Sequence, residues 1–343
     1  MGFKRLEPED FLVSADSVSS TVWTGNSPTL TSFYTSSAQV GDRSGDYYIA
    51  VYQATPTDSS AEVQFDIAFG DRLGRGTLAY NSDVSNTLSY SRTIYGQYRT
   101  LVLEDENSNF EFGGVEQDYF YVISINRARY KEKLLPGSLN LTLNDGGSKT
   151  IELTDNSKDV SLPTYYGTQR AYQIVSGSNG SAYAGNGYAG AGGNSTTIGS
   201  YGLFLPDSST LILNGAALDQ NNVYGINLGT NLTANTDGGN TAKLFADISN
   251  GASFQLNSEE TITSDFVFIR ARNSEFNYSE NPSFISGSTG EVVFDYFIDN
   301  PQVYPTTVGL YNDSNELLAV SKLSRPIQKN FTKEALIRIK LDF

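Results

Sequence analysis

The sequence predicts an all-β protein of two or more β-sandwich or β-barrel-like domains with a glycine-rich central excursion. Three observations carry that expectation. Apolar and polar residues alternate over short stretches bounded by Gly, Asn, Asp and Ser, the pattern of strands and turns. Aromatic residues make up 12% of the 343 residues (22 Tyr and 19 Phe), and such side chains favour the half-buried faces of strands. Helical periodicity is almost absent, and charged residues reach only 18%, too few for a disordered chain.

The alternation is plainest at 47–53 (YYIAVYQ) and 61–69 (AEVQFDIAF). In the second stretch Val63, Phe65, Ile67 and Phe69 share one face, with Gln64 and Asp66 on the other. Residues 98–103 and 119–125 continue the pattern. Residues 139–143 and 151–153 read as a hairpin across Asn144-Asp145-Gly146-Gly147, because Asp-Gly supplies the positive φ angles of a primed turn. One helix is expected within 85–103, where Tyr90, Ile94 and Tyr98 form a stripe that Gly96 weakens. A short helical or turn element is placed at 127–135 (RARYKEKLL). Its Arg127, Arg129, Lys131 and Lys133 are read as the charged guard of a strand edge, in preference to an anion site.

Residues 176–200 hold eight glycines and almost no aliphatic side chain, which marks a functional excursion or a linker. Strands are expected to resume at 202–213 and 223–228, then at 266–270, 291–297, 306–311, 317–322 and 335–341. The chain therefore divides into an N-terminal β domain (1–175), the glycine-rich segment (176–200) and C-terminal β structure (201–343). No internal repeat of 20–50 residues argues for a propeller or solenoid.

Composition removes most chemistry. With no Cys there is no thiolate zinc site or cysteine nucleophile, and with no His no Ser-His-Asp mechanism. The net charge of −15 argues against nucleic-acid binding and against a polybasic membrane surface. The N-terminal MGFKRLEPED lacks the apolar core of a signal peptide, and no stretch approaches a membrane span, so a soluble chain made in a cytoplasm is expected.

The remaining motifs read as structural. Gly185-Asn186-Gly187-Tyr188-Ala189-Gly190 fits G-x-G-x-x-G by letter, but lacks the strand before it and the helix after it. The stretch 70–76 (GDRLGRG) lacks the Gly-Lys-Ser/Thr end of a phosphate loop. Residues 155–159 and 235–240 gather oxygen donors without the spacing of a calcium loop, and turn chemistry explains both. The carboxylate groups Glu104/Asp105/Glu106, Glu259/Glu260 and Asp295/Asp299 leave a two-carboxylate glycan hydrolase as a third-ranked reading. No catalytic residue, cofactor or metal is expected, and the chain is read as a non-enzyme.

Three stretches carry a family resemblance. The first is Phe266-Val-Phe-Ile-Arg270-Ala-Arg272-Asn-Ser-Glu275-Phe-Asn-Tyr278, followed by Val308-Gly-Leu-Tyr-Asn312 and Lys333-Glu-Ala-Leu-Ile-Arg338-Ile-Lys340-Leu-Asp-Phe343. The second is 119–143, with Arg127-Ala-Arg129-Tyr130-Lys-Glu-Lys-Leu-Leu-Pro136-Gly137. The third is Ile174-Val-Ser-Gly-Ser-Asn-Gly180-Ser-Ala-Tyr183. Together they resemble a virion structural protein family of T4-like tailed phages (myoviruses) infecting marine cyanobacteria, over about 90–180 and 265–343. The resemblance implies particle assembly and maps no site. A tail or baseplate component is expected first and a neck component second, since the net charge of −15 argues against lining the packaged genome. Implied partners are other copies of the chain and other virion proteins, with no nucleic acid and no membrane. The place implied is the virion, assembled in the host cytoplasm. A composition poor in oxidisable side chains and rich in Tyr and Phe suits such a part. The rival reading is a carbohydrate- or receptor-binding module at the tail tip, touching a host-surface glycan.

Overall fold

The structure is a computed structural model that describes residues 3–36, 47–79, 89–183, 187–188, 194–195, 201–221 and 224–342. Strands make up 42% and helix 15%, so the class is all-β, as the alternation predicts. In chain order the principal strands are β1 (Phe11–Thr21), β2 (Tyr48–Tyr52), β3 (Val63–Asp71), β4 (Tyr119–Ile125), β5 (Asn140–Asn144), β6 (Thr150–Asp155), β7 (Gln169–Ser178), β8 (Gly202–Leu205), β9 (Thr210–Asn214), β10 (Asn257–Ala271), β11 (Thr307–Tyr311), β12 (Leu317–Lys322) and β13 (Ala335–Asp342). The two longer helices are α1 (Tyr90–Leu103) and α2 (Asn240–Gly251).

The chain forms two compact units, Val18–Glu260 and Met1–Ser17 with Thr261–Phe343. This differs from the expected division at 176–200. β7 and β8 flank the glycine-rich segment, yet they are antiparallel neighbours in one sheet, with Gln173 opposite Leu203. The segment therefore connects strands within a unit. Gly187–Tyr188 pairs with Asn194–Ser195, and the rest of 184–200 lies outside the described residues.

The larger unit is built on a curled antiparallel sheet whose main path runs β5-β6-β7-β8-β9-β4-β3-β2. Its strands are apolar on both faces. Phe65, Ile67 and Phe69 of β3, Tyr121 and Ile123 of β4, and Leu211 and Leu213 of β9 enter one cluster. Ala68, Phe120, Val122 and Ile212 enter the other, with Ile94, Tyr95 and Val102 of α1. Helix α2 covers the first face with Leu244 and Ile248. Period-two alternation thus persists, but inside nearly continuous apolar runs.

The expected stripe on α1 is present. Tyr90 and Ile94 are buried, and the Ser89 side chain caps the helix by accepting from the Arg92 amide. Residues 98–103 belong to this helix and form no strand, because the cap and the stripe commit the segment to helical period. The expected start at 85–88 lies outside the described residues. The β5–β6 hairpin has the predicted register, Leu143 opposite Ile151 and Leu141 opposite Leu153. Its turn is longer than a primed two-residue one. Asn144 pairs with Thr150, and the Asp145 carboxylate closes the loop by accepting from the Gly147 amide (2.7 Å) and the Lys149 amide (3.1 Å).

Three further expectations are corrected. Residues 127–129 form the expected turn, a 3-10 turn capped by Asn126, but it is followed by the two-residue strand Lys133–Leu134, so the four basic residues do not share a strand face. Residues 224–228 form no strand; the Ile226 and Leu228 amides both donate to the Leu218 carbonyl at the end of the short helix Gly215–Leu218. Within 291–297 only Val292 makes a bridge, to Ile285, and Asp295–Asp299 is a short helix.

The smaller unit contains β11, β12, β13 and the Thr261–Ala271 part of β10. β10 and β13 pair antiparallel with Val267 opposite Ile339. Val267, Ile337 and Ile339 anchor a modest cluster with Leu6, Ile269, Val308, Leu310, Leu323 and Ile327 packed on it. On β13 the exposed Leu336, Arg338 and Lys340 alternate with the buried Ala335, Ile337 and Ile339.

Candidate interaction surface

Several of the motif residues weighed in the sequence do structural work, while most of 185–190 lies outside the described residues. Asp155 is fully buried; both its oxygens accept from the Gly137 amide (2.9 Å), and one accepts from Ser157 N (3.0 Å). In the 235–240 loop, Asn235 accepts from Ala79 N, Asp237 from Gly239 N, and Asn240 brackets the Asn231 backbone with both side-chain ends at 2.9 Å. Both loops follow turn chemistry. Asp105 likewise holds a turn, accepting from Asn107 N and Ser108 Oγ.

The 70–76 stretch is a turn organised by one buried carboxylate. Asp71 accepts from Leu73 N (3.0 Å) and Arg75 N (2.8 Å), and Arg75 Nη2 closes the arrangement at 2.8 Å. That hydrogen bond, ahead of all else, raises the Arg75 pKa. Among the basic residues of 127–133, Arg129 bonds Glu62 at 2.6 Å and reaches Thr24, while Arg127 stacks on Tyr130. Charge here ties segments together.

The larger unit holds a buried acid with an unpartnered oxygen. Asp247 on α2 is 92% buried, its Oδ2 has no hydrogen-bond partner, and burial, with Asp145 nearby, pushes its pKa up to about 7. A raised value means that the folded chain holds this proton more tightly than the unfolded one. The stability it lends is full below about pH 4 and is lost as pH rises toward 7. Burial raises Asp66 to about 6 and adds to the same decline. Asp247→Asn should therefore raise unfolding stability at pH 8 by about 1–2 kcal/mol and leave pH 4 nearly unchanged. Denaturant titrations followed by Trp23, buried in this unit, provide the check.

The smaller unit carries an open groove. This groove of about 1310 Å³ is lined by Phe3, Phe276, Tyr278, Ile298 and Phe331, with Asn281 and Glu280 beside them. Its wall at 273–281 is held from beneath by Lys329. That ammonium is fully buried and donates to Asn277 Oδ1 (2.8 Å), Asn273 O (3.1 Å) and Asn330 O (3.1 Å). Burial lowers its pKa, which nearby Glu275 and Glu334 partly offset. Glu275, also on the groove, accepts from the Arg272 amide and from Lys4 Nζ (3.0 Å), and these bonds hold its pKa down. A carboxyl shifted that way is the opposite of a raised general acid.

Exposed apolar side chains concentrate in this unit. Of the twenty-seven large hydrophobic residues exposed among the described residues, seventeen lie in Met1–Ser17 and Thr261–Phe343, much the shorter unit. They include an aromatic group around the short helix Asp295–Asp299, where Phe294 stacks on Tyr296 at 5.4 Å. Sequence reasoning found the strands at 266–270, 306–311, 317–322 and 335–341 but missed the groove, because its walls come from 3–5, 274–281, 292–301 and 331. Comparison with protein-family models, with curated proteins and with solved structures finds no match for the chain.

Proposed function

We propose that the chain is a structural, non-enzymatic subunit of a contractile-tail phage particle. It is a tail or baseplate component first and a neck component second, built in through subunit interfaces. The observation that carries the reading is the imbalance between the units: the larger has two apolar clusters of its own, whereas the smaller holds most of the large apolar side chains that are exposed among the described residues. Contiguous exposed apolar surface marks interaction sites, and aromatic residues dominate the cores of interfaces. The family resemblance of 90–180 and 265–343 supports the same role. Mass spectrometry of gradient-purified particles should find the chain at a fixed ratio to the major tail proteins. Its absence from particles that carry all other tail parts would refute the proposal.

A second reading has one observation in its favour. The groove sets the exposed Tyr278 beside Asn281 and Glu280, the aromatic-plus-polar arrangement expected of a glycan site at a tail tip. Binding of the isolated chain to host lipopolysaccharide, lost on Tyr278→Ala, supports that reading; equal binding by the variant removes it.

A further inference from the structure

Among the described residues each strand of the two-stranded sheet β11–β12 pairs only with the other. An isolated hairpin is marginal unless something covers it. Its inner face is covered, since Val308 and Leu310 pack on the cluster of the smaller unit. Its outer face is not. There Thr307 stands opposite Lys322, Gly309 opposite Val320 and Tyr311 opposite Leu317, and the register slips between Leu310 and Tyr311. The slip leaves Leu318 as an extra residue, so Leu317 and Leu318 are both exposed, at 52% and 68%.

Gly309 flattens this face. A Cβ there would lie 2.9 Å from the Tyr311 ring and 3.3 Å from Leu317, so both side chains lean across the bare glycine. Phe3 extends the surface by packing edge-on against Tyr311 at 5.2 Å. The result is an apolar plate of Phe3, Tyr311, Leu317, Leu318 and Val320. Its ends carry opposite charge: exposed Asp313 and Glu316 at the tip, exposed Lys322 at the base.

We propose that this plate is the contact between two copies of the chain, related by a two-fold axis near Leu318. A two-fold superposes each acidic tip on the other copy's basic base while the apolar middle meets itself. That is the self-complementarity an isologous contact requires. Face-to-face packing also suits the bulge, which turns the strand edge away from edge-to-edge pairing. The inference rests on the assembly reading and names the partner for one of its surfaces.

The chain has no cysteine, so one introduced thiol is a clean probe. In sedimentation velocity the full chain should dimerise, and Leu318→Arg should abolish the dimer. Asp313→Lys and Lys322→Glu should each weaken it ~tenfold, and the double swap should restore it. Leu318→Cys should form a disulfide-linked dimer on mild oxidation, whereas Leu162→Cys, on the larger unit, should not. A chain that stays monomeric, a dimer indifferent to Leu318→Arg, or equal cross-linking at both positions would overturn the inference. A chain present in particles but monomeric in solution defeats this inference alone; a dimer through the plate with no chain in particles defeats the virion reading alone.

Discussion

Gly202→Val should cost the larger unit ~3–5 kcal/mol, read as a collapse of the denaturant midpoint of Trp23 fluorescence. Gly202 has φ +145° and opens β8 between Ile174 on β7 and Leu213 on β9. A Cβ at this position would lie 2.0 Å from the Ile212 carbonyl oxygen, and backbone cannot swing aside as a side chain can. Relief requires moving β8 or β9, and either shift breaks ladder pairing at the middle of the main path. The damage should propagate, because Leu203 and Phe204 feed the clusters on opposite faces of the sheet. An unchanged midpoint would mean that the close pairing at Gly202 is not what holds this part of the sheet.

The second large effect is local to the smaller unit. Lys329→Met keeps the length and apolar stem of the side chain but removes the ammonium that Asn273, Asn277 and Asn330 all bind. Asn277 Oδ1 then loses this buried donor, while Asn273 O keeps the Asn277 side-chain amide and Asn330 O keeps the Lys333 amide, and the expected loss is about 2 kcal/mol. Trp23 lies in the other unit and should barely respond. Hydrogen exchange should instead accelerate across 273–281, the groove wall, and at the Val303–Lys329 pair, whose backbones exchange hydrogen bonds at 2.9 Å. Protection equal to that of the parent chain would show that the wall stands without its cation.

What the sequence disclosed follows from which interactions are local. The β5–β6 hairpin and the alternation of Val63, Phe65, Ile67 and Phe69 both lie within stretches of a few residues. Composition and turn residues suffice to find them. The stripe of Tyr90, Ile94 and Tyr98 was legible for the same reason. Helix α2 was not, because its start at Asn240 follows an Asn- and Gly-rich loop and its N-cap, Gly239, makes no side-chain cap bond. The division of the chain was misplaced because β7 and β8 pair across a segment whose composition reads as a linker. The joining of Met1–Ser17 to Thr261–Phe343 is likewise a non-local event. The groove depends on four separated stretches and leaves no signature in any one of them. Its cation was legible only as one more Lys, since burial among three carbonyl oxygens is a tertiary fact.

These observations bear together on the proposed role, in which the larger unit packs cores of its own and the smaller offers surfaces to neighbours in a particle. The Phe294–Tyr296 stack, the groove with Tyr278 and Phe331, and the plate around Leu318 are all exposed in the single chain. A cryo-EM map of the intact particle is the most direct measurement. It should place the chain in the tail, baseplate or neck, with those residues of the smaller unit buried against adjacent subunits. A map that accounts for every tail protein and either lacks the chain or leaves its smaller unit bare to solvent would contradict the claim.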